Sequence, residues 1–278
     1  MIRLLVDSSS DYTMKDLQAK NIHYVPLTIT LNEKSYKDGL ELKADDFYEM
    51  LMSGKDFPKT SQPSPQDFLE IFKEAKEKGD DVICILLSSS LSGTCQSAHL
   101  AKDMVNYDKI HIVDSLTATI MIKVLADYAY ELVQQNVSAA EITEKLNILK
   151  SKVKVVAALD TLEYLYRGGR LSRASATIGE LANLKPVIHV TEDGNVGVVG
   201  KCIGRNKALM FLMKTLASKT LNKDFPIYTV YAYGTENCEK LEERLTAEGY
   251  TLSGREQIGS TIGAHVGPGA FGVIYVEK

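Results

Sequence analysis

The sequence has 278 residues, of which 45% are hydrophobic and 24% charged. That is the balance of an ordinary globular protein with one large or two medium domains, and it excludes a mainly disordered or collagen-like chain. Its 32 basic and 36 acidic residues leave a net charge of −4, which argues against a nucleic-acid partner.

The first run, Ile2 to Val6, is strand-like and ends at the polar turn Asp7-Ser8-Ser9-Ser10-Asp11. Met1 to Asp7 meets an acid before a signal-peptide core can form, so a cytoplasmic protein with reduced thiols is expected. Ile22 to Leu31 is rich in β-branched residues and predicts a strand. Ala44 to Met52 is amphipathic and helical, stopping at Gly54. Ser64-Pro65-Gln66-Asp67 starts a helix: a capping hydroxyl, a proline suited to the first turn, and an acid at the positive end. It should run to Lys78 and stop at Gly79. Val82 to Leu87 and Ile110 to Val113 are continuous apolar runs, as in strands buried on both faces of a parallel sheet. Helices are expected from Thr117 to Gln135 and, after the capping box at Ser138, toward Lys150.

The pattern changes after about Lys152. Val153 to Leu159 predicts a strand, and Thr161 to Tyr166 a short helix ending at Gly168-Gly169. Pro186–Thr191 and Asn195–Lys201 flank Asp193-Gly194, a hairpin signal. Helices over Asn206–Leu221 and Glu236–Ala247 alternate with strands over Ile227–Tyr233, Thr251–Gln257 and Val273–Val276. The expected boundary lies near 155. Residues 1–155 form a parallel α/β domain, and residues 156–278 an α+β domain with a mixed sheet.

Ligands of open α/β sheets sit beyond the carboxyl ends of the strands. Three hydroxyl-rich loops fall there: Asp7–Asp11, Ser88–Thr94 and Asp114-Ser115. In the second, Ser92 should cap a helix beginning near Gly93, whose free N–H groups suit a carboxylate or phosphate. Gly93 would let a ligand approach the backbone. The same residues also suit a plain helix cap. Thr60 lies in another hydroxyl cluster, Thr60-Ser61-Gln62-Pro63-Ser64, which equally reads as a helix lead-in. Arg170 follows two glycines in a tight turn and can fork onto a carboxylate, or simply be a surface arginine. His265 sits in a glycine-dense loop, Ile258 to Gly272. This loop holds a literal G-x-G-x-x-G but lacks the strand-to-helix context of a dinucleotide site. Cys84, Cys95, Cys202 and Cys238 form no C-x-x-C pair, and no metal site or cofactor is expected.

Taken together, five segments resemble the DegV family of bacterial fatty-acid-binding proteins. They are Val6–Asp11, Lys59–Ser64, Leu87–Thr94, Leu162–Ser172 and Ile262–Gly269. They occur in the family's order and span almost the whole chain. The resemblance implies a two-domain DegV-like fold enclosing one long-chain fatty acid, the second domain covering the lipid pocket. It implies that Thr60 and Ser92 hold the carboxylate, beside Gly93, with Arg170 and His265 near the head group. It further implies a carrier rather than an enzyme. A separate ATP-binding fatty acid kinase is then expected to phosphorylate the bound carboxylate to an acyl phosphate, where Arg170 would stabilise the growing charge and His265, ionisable near neutrality, could bond the same oxygens. Transient membrane contact is compatible with that role. One departure stands out: Ile203 occupies a usual arginine position linked to kinase contact, with Lys201 and Arg205 as neighbouring cations. Two other readings of the loops remain open, a Ser92/His265 hydrolase or acyl transferase, and a binder of a small phosphorylated ligand.

Overall fold

The computed structural model describes residues 1–54, 56–171 and 183–278. Ser172, the last residue of the arginine segment, lies outside them. The first half is built on a parallel sheet of order β2-β1-β6-β7, from His23–Val25, Ile2–Asp7, Asp81–Leu86 and Ile110–Asp114. Its two faces alternate as a pleat requires. Leu5, Cys84 and Leu86 pack against the helices α3 (Pro65–Lys78) and α4 (Thr94–Val105). Leu4, Val6, Ile83 and Ile85 face a second, larger core. That core contains α5 (Ile120–Gln134), whose first seven residues are all buried, and α6 (Ala139–Leu149).

The second half is a six-stranded mixed sheet. Its order is β10 (Val196–Ile203), β9 (Leu184–Val190), β8 (Val153–Ala158), β13 (Phe271–Val276), β11 (Tyr228–Tyr231) and β12 (Gly254–Gln257). All pairs are antiparallel except β11 with β12. One face, including Val156, Val187 and Val273, packs on α8 (Arg205–Ala217) and α9 (Glu236–Ala247). Val155, Ala157, Ile188, Val230 and Ile274 join the same core as Leu4 and α5. The two sheets thus enclose one continuous apolar layer between them.

Most elements fall where the sequence places them, with two exceptions. Ile22–Leu31 is not one strand. Pro26 has no N–H for a ladder, and the run splits into β2 and β3 (Thr28–Leu31). β3 leaves the parallel sheet to form a small sheet with β4 (Lys34–Lys37) and β5 (Lys59–Ser61). The glycine-dense segment expected as a loop contains the helix α10 (Ser260–Val266). Its glycines are where neighbours come close: a Cβ on Gly263 would lie 2.3 Å from the Tyr48 hydroxyl. The hairpin at Gly194 forms as expected, with φ at 78°.

Candidate functional site

A cavity of about 370 Å³ lies within the central apolar layer. Its walls come from both halves, including Leu87, Ala118 and Met121 from the first and Ala157, Ile188, Val230 and Ile262 from the second. Thr60, Ser92, Arg170 and His265 all line it. Four residues from four separate segments therefore meet at one apolar cavity.

Thr60 is the middle residue of β5, paired with Ile29 of β3. Its hydroxyl lies 2.8 Å from Nε2 of His265. His265 sits on the last turn of α10 and is only 9% exposed. Among the described residues, Nδ1 of the imidazole has no partner, and it packs on Gly168, where an added Cβ would lie 2.2 Å from it. An unpaired buried N–H is costly, so the favoured tautomer leaves a lone pair on Nδ1 and donates from Nε2 to Thr60. The Thr60 proton is then free to point elsewhere. Burial first, and the charge of Arg170 second, push the His265 pKa down to about 4. The imidazole is therefore neutral at pH 7 and meets a ligand as an uncharged group.

Ser92 precedes α4 but does not cap it. The capping position falls on Gly93, without a side-chain bond. Ser92 instead bonds Thr94 Oγ1 at 2.9 Å and stays half-buried at the cavity. The space over Gly93 is taken by Gln62, whose Oε1 would be 2.0 Å from an added Cβ. Gln62 Nε2 donates to Ser97 Oγ at 3.1 Å, which fastens the Thr60 loop to α4. Arg170 follows α7 (Glu163–Arg167), and Gly169 before it has φ 73°. Its Nε donates to the Leu91 carbonyl at 2.9 Å, and its Nη1 to that of Gly168 at 2.6 Å. The guanidinium thus ties the Ser92 loop to the turn that backs His265. Burial lowers its pKa, yet an arginine keeps its charge at neutral pH.

The other two strand-end loops do not reach the cavity. Asp7 accepts from Ser9 N at 2.9 Å and Leu87 N at 2.7 Å, so its loop is internal scaffolding. Asp114 accepts from Ser89 N at 3.1 Å. Two polar lining residues, Thr119 and Thr261, were not singled out in the sequence, and Ser61 and Gln62 were named there only as neighbours of Thr60. Thr119 donates to Asp11 at 2.5 Å and Thr261 to Asp38 at 2.6 Å. Both hydroxyl protons point away from the cavity. Nothing local in the sequence distinguishes these threonines, because their partners lie 108 and 223 positions away.

Ser92 and His265 are not paired: Nε2 of the histidine is engaged by Thr60, and among the described residues no acid orients Nδ1. A Ser–His hydrolase needs both contacts. The arrangement instead suits a ligand with an anionic head and an apolar body. It offers the hydroxyls of Thr60 and Ser92 and the half-buried cation of Arg170 at the polar end, and mostly aliphatic side chains elsewhere.

The comparisons agree with that class of protein. The model described as "Uncharacterised protein, DegV family" matches residues 1–278. The chain belongs to the DegV family. It is 37% identical to a DegV domain-containing protein of Caldanaerobacter subterraneus subsp. tengcongensis, over 100% of this chain and 99% of that protein. Among solved structures, a DegV-family protein from Thermus thermophilus described for its fatty acid binding superposes with a TM-score of 0.89. It is 31% identical and covers 100% of this chain and 99% of its own. DegV of Bacillus subtilis, described as a fatty acid binding protein, gives 0.86 at 30% identity, with the same coverage. Among the described residues, no helix is long and apolar enough to cross a membrane.

Proposed function

We propose that this protein binds one long-chain fatty acid in the central cavity, with the carboxylate held by Thr60 and Ser92. The observation that carries the reading is the convergence of Thr60, Ser92, Arg170 and His265 on a mainly aliphatic cavity of about 370 Å³. That volume falls within the roughly 300–1,000 Å³ of ordinary small-molecule sites. Fatty acid binding by the Thermus and Bacillus relatives, at 31% and 30% identity, supports it.

The energetics divide between tail and head. About fourteen methylenes gain roughly 11 kcal/mol gross on burial, at about 0.8 kcal/mol each. Ordering the chain and losing free translation cancel a good part of this. Hydrogen bonds to a charged carboxylate add about 1.5–3 kcal/mol each. The tail supplies most of the affinity, and the hydroxyls fix where the head lies. Neutral His265 serves this arrangement: by donating to the Thr60 oxygen, it leaves the Thr60 proton for the carboxylate. Arg170 supplies the compensating charge without needing to leave its two carbonyl partners.

The protein is then a carrier that presents the head group to a separate ATP-binding kinase for conversion to an acyl phosphate. The polar end is the accessible one. Thr60, Ser92 and Arg170 are half-buried and Ser61 and Gly169 exposed, whereas Ala157, Ile188 and Val230 are buried. Ile203, at the usual arginine position, is 59% exposed at the end of β10. Arg205 beside it pairs with Asp160 at 3.7 Å. Kinase contact on that edge would therefore rest more on apolar surface than in relatives with the arginine.

Calorimetric titration of delipidated protein with palmitate tests the binding step. Saturable binding at one site per chain is expected, and heat no different from that of dilution would refute it. A short acyl ester offers the contrast: hydrolysis lost in Ser92→Ala would favour the hydrolase instead.

A further inference from the structure

We propose that Asp38 is a positioning residue for the head-group site, because its side chain caps the helix that carries His265. This rests on the lipid-binding reading given above. α10 has only seven residues, and its own capping residue, Gly259, has no side chain to offer its first free N–H groups. Such groups need an acceptor when they are buried. Asp38 supplies it from 223 positions away: Oδ2 accepts the backbone N–H of Thr261 at 3.2 Å and its hydroxyl at 2.6 Å. Asp38 is 4% exposed and Thr261 2%, so water cannot readily take over either bond.

Asp38 is itself held on both backbone sides. Its N–H donates to the Leu27 carbonyl at 3.0 Å, and its carbonyl accepts from the Tyr24 hydroxyl at 2.8 Å. Ser8 joins the same knot, contacting Thr261 Oγ1 at 3.2 Å and accepting the Leu27 N–H at 3.0 Å. Leu27 in turn leads directly into β3, which pairs with the strand bearing Thr60. The cap therefore fixes α10 against the element that carries the other half of the Thr60–His265 contact. Thr261 and His265 are four residues apart and so share one face of the helix, the face that lines the cavity. Movement of the first turn is carried directly to the imidazole.

Asp38→Ala is expected to remain folded, because the bonds of Asp38 to Leu27 and Tyr24 are made by its backbone. Palmitate affinity should fall at least tenfold. A separate readout follows the imidazole itself. Wild-type His265 should titrate near pH 4 by the NMR shift of its Cε1 proton, assigned with His265→Gln. Among the described residues, the charged group that bears on it is Arg170. Once α10 loosens and water enters, its midpoint should rise by at least one pH unit toward the ordinary 6.5. Asp38→Asn keeps an oxygen acceptor and should restore both properties in large part. If Asp38→Ala does not fold, Thr261→Val, which deletes the hydroxyl bond to Asp38 together with the Ser8 contact but keeps the backbone bond, should show the same direction of both changes.

An unmoved His265 midpoint together with wild-type palmitate affinity in a folded variant would overturn the proposal. So would lost affinity with an unmoved midpoint, since Asp38 would then act by another route. Failure of the wild type to bind palmitate would instead sink the lipid reading, while the His265 titration would still test whether Asp38 positions the helix.

Discussion

Thr60 and His265 are 205 positions apart in the chain and 2.8 Å apart in space. The contact joins a strand of the first half to a helix of the second at the polar end of one apolar cavity. With the imidazole held neutral by burial and Arg170, the contact leaves the threonine proton available to a ligand. The ligand reading depends on this pair more than on any single side chain.

If Thr60 and Ser92 both bond the carboxylate, the double alanine variant should fold normally but bind palmitate at least a hundredfold more weakly. Each lost charge-assisted bond accounts for about 1.5–3 kcal/mol. The two hydroxyls serve one carboxylate, so the single variants need not add up to the double. Calorimetry on all three variants checks this. Wild-type affinity in the folded double variant would remove both residues from the site.

His265 also predicts how stability depends on pH in the lipid-free protein. In the unfolded chain it takes a proton near pH 6.5, whereas in the fold it does so only near 4. Between those values the unfolded state binds more protons, so stability falls as the pH drops. The contribution is fully present above about 6.5 and is lost down to about 4, on the order of 3 kcal/mol. Burial raises the pKa values of Asp7, Asp11 and Asp38, which acts in the opposite direction. The comparison must therefore be differential. Urea unfolding of wild type and His265→Gln should converge in stability as the pH falls from 7 to 4. Parallel curves would mean that His265 is not held neutral.

Gly168→Ala offers a steric test. The backbone there, at φ −73°, accepts alanine, but the new methyl carbon would lie 2.2 Å from Nδ1 of His265 and 2.9 Å from the Tyr164 carbonyl. Overpacking of this kind costs about 1–3 kcal/mol. It should also push the imidazole off Thr60 and weaken palmitate binding. Gly169→Ala, where no atom of the described residues lies within 4 Å but φ is 73°, should lower stability through backbone strain and leave affinity nearly unchanged. Equal effects on binding from the two substitutions would contradict the packing of His265 on Gly168.

The helix boundaries were legible where their signals are local. The Pro65–Lys78 helix lies as predicted because Asp67 accepts the Ser64 N–H at 2.7 Å and Gly79 adopts φ 71°. The fate of Ile22–Leu31 was not legible. Its β-branched residues predict extended backbone, but no local feature says that the run divides between two sheets. α10 was hidden for a related reason. Glycine lowers helix propensity, and what holds this helix is distant: Asp38 at its first turn, and Tyr48, which approaches Gly263 and donates to the Ile258 carbonyl. Thr60, Ser92, Arg170 and His265 were visible as motif residues. The neutrality of His265 was not, because it comes from burial and from Arg170, and spacing carries no information on either.

Arg170 should matter more to turnover than to lipid affinity. Negative charge grows as an acyl phosphate forms, and a fixed guanidinium stabilises that state more than the bound carboxylate. In Arg170→Ala, palmitate affinity should change less than tenfold while acyl-phosphate formation with a partner kinase falls at least tenfold. The His265 midpoint should rise as well, since Arg170 contributes to its low value. Undiminished turnover would show that Arg170 only braces the Leu91 and Gly168 carbonyls.

The central claim is that a fatty acid fills the cavity, and it is tested most directly on protein purified from cells with no lipid added. Organic extraction followed by mass spectrometry should yield close to one acyl chain per protein. Native mass spectrometry of the same preparation should show the matching added mass, reduced in the Thr60→Ala/Ser92→Ala variant. Protein recovered repeatedly without lipid, and indifferent to added palmitate, would contradict the account.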